Sequence, residues 1–117
     1  MNVIVIGSGA REHALCRLIY NSPLCDKLYC FPGNYGISQI ADCHALNSDQ
    51  EIIEMCKKIK PDLVLIGPED YLSRNLAGEI RKLNFNVLEE LAPRAPKLME
   101  LTVDESLATA INELELL

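Results

Sequence analysis

Residues 2–15 read NVIVIGSGAREHAL, and this stretch decides the fold. A run of β-branched apolar side chains from Val3 to Ile6 stops at Gly7, a second glycine follows at Gly9, and a helix-like pattern begins near Ala10. An apolar run without polar alternation describes a strand covered on both faces, as in a parallel sheet. The two glycines let the chain turn sharply out of that strand into a helix. A second run of the same kind, DLVLI at 62–66, also stops at a glycine, Gly67. Weaker strand signals lie at 27–31 (KLYCF), near 40–45 and at 85–88 (FNVL).

Helical periods separate these strands. Ala14, Leu15, Leu18 and Ile19 share one face, as do Ile52, Met55, Cys56 and Ile59, and then Leu72, Leu76, Ile80 and Leu83. Ser48 and Glu51 stand at capping-box spacing before the second helix, and Pro61 stops it after Lys57, Lys58 and Lys60. Strand, helix and strand in this alternation give βαβ units: an α/β, Rossmann-like parallel sheet with helices on both faces, in a single domain.

With 117 residues, 49% of them hydrophobic, there is material for one core. The apolar runs fall far short of the ~20 residues that span a bilayer, and the opening MNVIVIGSGA lacks the basic segment of a signal peptide, so the expected location is cytoplasmic and away from membranes. Five cysteines, Cys16, Cys25, Cys30, Cys43 and Cys56, are an odd set with no C-x-x-C pair, which speaks against a disulfide framework and a zinc ribbon. His44 has no partner at metal-ligand spacing either, and no metal site is expected. Residues 1–85 hold 10 acidic and 9 basic side chains, whereas 86–117 hold 7 acidic and 2 basic. No basic stripe is available for a nucleic acid, but a compact phosphate needs only backbone amides.

Three glycine-bearing segments each follow a strand: GSGAREH at 7–13, PGNYG at 32–36 and GPE at 67–69. In a doubly wound sheet these loops share one edge, where ligands bind near the point at which strand order reverses. Gly7 and Gly9 shape a turn whose amides suit an anion, and Arg11 and His13 follow in the first helical turn. Position 12 discriminates among anions. The dinucleotide fingerprint G-x-G-x-x-G requires glycine there and this chain has Glu12, nor is there a G-x-x-x-x-G-K-[ST] phosphate loop. Glu12 also suits a helix N-terminus on electrostatic grounds alone, and Asn34 suits a turn. Glu69, just past a strand, is placed to meet an amine or hydroxyl.

At these segments the sequence resembles the N-terminal domain of phosphoribosylamine-glycine ligases, also called glycinamide ribonucleotide synthetases. Residues 3–15 look like the family's opening motif, with Ala10 where a further glycine is usual; Pro32-Gly33-Asn34-Tyr35-Gly36 and Gly67-Pro68-Glu69 look like its next two signatures, in the same order and spacing. The resemblance implies a pre-ATP-grasp domain that helps hold a small phosphorylated ribose acceptor during purine biosynthesis. In that reaction ATP, phosphoribosylamine and glycine give glycinamide ribonucleotide, ADP and phosphate. Gly7, Gly9, Arg11, Glu12, His13, Gly33, Asn34, Gly36, Gly67, Pro68 and Glu69 match the motifs and are the expected acceptor-site residues, with no catalytic role assigned to any. The cofactors implied for the full-length family, ATP and Mg²⁺ or Mn²⁺, belong to later ATP-grasp domains and not to this chain.

The resemblance covers residues 1–87. Tyr71 stands where a proline is usual and Asn75 where a glycine is common, and from Leu88 onward the family pattern is lost. Residues 88–117 read as a divergent acidic tail, expected to be helical, with Thr102 and Glu105 as a cap and Leu107, Ile111 and Leu114 as its apolar face. Without an ATP-grasp part the chain is expected to be inactive alone; such domains on another polypeptide, or self-association through the tail, are the partners this reading allows. Two alternatives remain at this level, a non-enzymatic remnant or interaction module and, disfavoured by Glu12, a dinucleotide-binding regulatory domain.

Overall fold

The computed structural model describes residues 1–46, 48–67, 75–90 and 99–102. Its strands are β1 (Asn2–Gly7), β2 (Lys27–Pro32), β3 (Asp42–Cys43), β4 (Leu63–Ile66), β5 (Val87–Glu90) and β6 (Met99–Thr102), and its helices are α1 (Ala10–Tyr20), α2 (Asp49–Ile59) and α3 (Leu76–Lys82). The strands lie in the order β3-β2-β1-β4-β5-β6, parallel throughout except that β6 runs antiparallel to β5. The chain fills one side of β1 with β2 and β3, then crosses through α2 to start β4 on the other side. The order of strands therefore reverses between β1 and β4, and the crevice between their carboxyl ends is where such folds place ligands.

Both faces of the central strands are covered, as the unbroken apolar runs require. Val3 and Val5 of β1 pack with Leu63 and Leu65 of β4 against Cys16 and Ile19 of α1 and Ile37 of a short 3-10 turn, Ile37–Gln39. Ile4 and Ile6 pack with Val64 and Ile66 against Ile52 and Cys56 of α2 and Leu76, Ala77 and Ile80 of α3. The α/β, Rossmann-like reading holds, with helices on both faces. Among the described residues no helix is long and apolar enough to cross a membrane.

Helix α2 forms as its sequence dictates. Ser48 is extended and its hydroxyl accepts the Glu51 N–H at 3.2 Å; Asp49 and Glu51 occupy the positive end, and Lys57 and Lys58 the negative end. Lys60 closes it in the left-handed conformation, at φ 54°, ahead of Pro61.

Three details differ from the sequence reading. The inner face of α1 is Glu12, Cys16 and Ile19, with Leu15 packed at its side, while Ala14 and Leu18 face outward. The helix is phased by the inward turn of a carboxylate, which a search for apolar periodicity overlooks. The signal near 40–45 yields only two strand residues, because the chain just before it, Ile37–Gln39, winds into a turn. Thr102, expected as a helix cap, ends strand β6 instead; the rest of the expected tail helix, from residue 103, lies outside the described residues.

Candidate functional site

The carboxyl ends of β1, β2 and β4 are in register, Ile6 opposite both Phe31 and Ile66, and Gly7 opposite Pro32. Their glycine loops consequently leave the sheet side by side. Gly33 N–H donates to the Gly7 carbonyl at 3.1 Å, and Gly67 N–H donates to the Ile6 carbonyl at 3.1 Å. The Asn34 side chain donates to the Ser8 carbonyl at 2.7 Å and accepts the Ile37 N–H at 2.9 Å, so it fastens one loop to another. The Cys30 thiol adds a 3.4 Å contact to the Gly7 carbonyl. These bonds tie the loops to one another and to the end of β1, and they make the edge one connected surface.

Glu12 lies at the centre of that edge and is 1% exposed. One carboxylate oxygen accepts the Gly9 N–H at 2.8 Å, the reach-back half of a capping box in which glycine has no side chain to reciprocate. Its stem occupies the space beside Gly7, where φ is +150° and any Cβ would collide with Glu12 Cγ, and a Cβ at Gly67 would come within 2.7 Å of the other carboxylate oxygen. Two strand ends must therefore be glycine for the same reason: one buried glutamate passes between them.

His13 comes next along α1. It is half-buried against Gly36, where a Cβ would approach its Cε1 to 2.6 Å, and its Nε2 is buried without a hydrogen-bond partner. Arg11 is exposed on the first turn. Gly33 takes φ +71°, which an L side chain rarely adopts, and it sits over the Cys43 side chain. Tyr35 is 84% exposed at the tip of its loop. Of the expected site residues, Gly7, Gly9, Arg11, Glu12, His13, Gly33, Asn34, Gly36 and Gly67 converge on one edge, and Pro68 and Glu69 lie outside the described residues.

Ser8, Cys30 and Cys43 also build this edge and were not among the expected site residues. Ser8 contributes its carbonyl, which no side-chain pattern reveals, and the cysteines lie beneath the loops as small apolar groups. The Cys30 thiol, hydrogen-bonded to Cys16 and withdrawn from water, is held far above the usual thiol range, and burial pushes Cys43 up as well. These thiols are therefore neutral packing groups and poor nucleophiles.

The arrangement can hold a compact anion by the outer amides of the first α1 turn, because a helix leaves the N–H groups of its first turn without intrahelical acceptors. Among the described residues no three His, Cys, Asp or Glu side chains converge. Two surface cavities, of about 450 and 460 Å³, lie elsewhere, one at the amino end of β2 and β3 and the other over the outer side of α2.

A family model described as phosphoribosylglycinamide synthetase, N domain, matches residues 1–95. The chain belongs to that family. The match runs past residue 87, where the motif resemblance stopped, and takes in strand β5. A phosphoribosylamine–glycine ligase of Mesorhizobium japonicum is 43% identical over 89 residues, which is 74% of this chain and 21% of that protein. The Streptomyces coelicolor ligase is 37% identical over the same share of each chain. A trifunctional purine biosynthetic protein adenosine-3 of Drosophila pseudoobscura pseudoobscura is 38% identical over 88 residues, 69% of this chain and 6% of that protein. This N domain thus spans about a fifth of the length of the ligases it matches.

Proposed function

We propose that this N domain forms part of the acceptor site of a phosphoribosylamine–glycine ligase, receiving the phosphorylated ribose at the edge where β1, β2 and β4 end. The observation that carries the reading is the bonding of three glycine loops into one surface, Gly33 to Gly7, Gly67 to Ile6 and Asn34 to Ser8, in a chain of this family. A phosphate monoester would meet the outer amides of the α1 turn with Arg11 beside them, and the ribose hydroxyls would lie toward Asn34, Gly36 and His13. Gly9, Glu12 and the glycines at 7, 33 and 67 would shape this edge, and Pro68 and Glu69 are assigned to the acceptor site on their match to the family motif.

The chemistry of the reaction lies outside this domain. Acyl-phosphate formation from glycine and ATP needs a nucleotide pocket and carboxylates for Mg²⁺ or Mn²⁺, and we assign both to ATP-grasp domains, on the same polypeptide or another. On this reading residues 1–87 carry the binding edge, the acidic residues 88–117, which enter the same sheet through β5 and β6, are available for self-association, the 117-residue chain alone does not ligate, and the protein works in the cytoplasm. Titration calorimetry with glycinamide ribonucleotide is the test. Saturable binding that weakens about tenfold or more in Arg11→Ala, as loss of a charge-assisted phosphate contact implies, is the expected result; absence of heat at millimolar ligand overturns the reading.

A further inference from the structure

We propose that Glu12 is a specificity-determining residue: its buried carboxylate closes the floor of the crevice between β1 and β4 to diphosphate groups and leaves the edge open to phosphate monoesters. In doubly wound folds a diphosphate lies across the β1–α1 turn, drawn by the helix dipole and by amides that only glycine lets it approach closely. Here Gly7 and Gly9 are in place, so the backbone shape for that approach exists. What differs is the occupant of the floor. The Gly9 N–H is turned onto Glu12 at 2.8 Å, and the second carboxylate oxygen faces Gly67 across the crevice. One donor is withdrawn, and a full negative charge, shielded from water, stands against the roughly +0.5 charge of the helix end.

Repulsion from that carboxylate scales with the charge a ligand brings to the turn. A phosphate monoester can be held at the rim by the outer amides, at a distance from Glu12. A diphosphate must lie over the floor and brings more charge to it. Three features coincide at one place: the residue is 1% exposed, it lies at the reversal of strand order, and it occupies the position that would complete Gly7 and Gly9 as a dinucleotide fingerprint.

The test compares two ligands, ADP and ribose 5-phosphate, titrated into the full 117-residue chain and its variants. Glu12→Gln keeps an oxygen to accept the Gly9 N–H and nearly the same volume while removing the charge. It should shift the ratio of the two affinities toward ADP by about tenfold or more. Glu12→Gly, which completes the fingerprint, should gain ADP binding further and serves the same comparison should Glu12→Gln fail to fold. Equal change for both ligands in a folded variant, no gain for ADP, or wild-type binding of ADP as tight as the variants' each overturns the proposal. The ratio of the two affinities reports on Glu12, whereas ribose 5-phosphate binding by the wild type reports on the acceptor site, so the two readings fail separately.

Discussion

At the scale of single residues, the glycines of this domain divide by what surrounds them. Gly7 combines φ +150° with a Glu12 stem where its Cβ would go, so Gly7→Ala should destabilise by about 2–4 kcal/mol, read as a lower urea midpoint. Gly78, inside α3, has an ordinary helical backbone, and a Cβ there would meet nothing within 4 Å. Gly78→Ala should therefore stabilise by about 0.5–1 kcal/mol through helix propensity and a less disordered unfolded chain. A melting temperature that moves the same way for both substitutions would contradict the environments described. The sequence displays six glycines as equals. What separates Gly7 and Gly67 from Gly78 is the path of one glutamate side chain between two strands distant in sequence.

At the scale of elements, α2 is the helix whose sequence and structure agree most closely. Its cap, its charge order and its inner face of Ile52 and Cys56 all follow from local rules. Ser48→Ala should cost about 1 kcal/mol, with the slope of the urea transition unchanged because the folded surface is the same; a loss near zero would mean that the Ser48 hydroxyl does not cap the helix. Helix α1 was less legible. Its boundaries follow from the glycines and from Ala10 onward, but its inward face depends on Glu12 turning in to pass between Gly7 and Gly67, a tertiary arrangement added to its local bond from the Gly9 N–H. Strand β3 was less legible still, since residues 37–39 wind into a turn to bring Ile37 under the sheet.

At the scale of the whole molecule, the apolar layers govern how the protein responds to pH. Burial raises the Cys56 thiol from 9.0 to about 11. Between those values the unfolded thiol has lost its proton and the native one has kept it, so stability is full below pH 9 and falls as pH rises toward 11. The loss from this one group should be about 2–3 kcal/mol. Urea midpoints measured on either side of that interval should fall less steeply in Cys56→Ala than in the wild type; parallel slopes would remove Cys56 from the account. The layered α/β plan was readable from two apolar runs and three helical periods. The joining of the loops was not, because it is made by backbone groups and by one asparagine that also serves as an ordinary turn residue.

Because β1 and β4 are apolar on both faces, sliding one past its neighbour by a single position would still bury oil against oil, and polarity alone would not object. Alignment must come from the ends. At the amino end the Asn2 N–H meets the Asp62 carboxylate at 2.7 Å, and at the carboxyl end Gly67 and Gly33 dock on Ile6 and Gly7. The loops proposed to receive a ligand are thus also the alignment marks of the sheet, and a chain that folds out of step has no binding edge to offer.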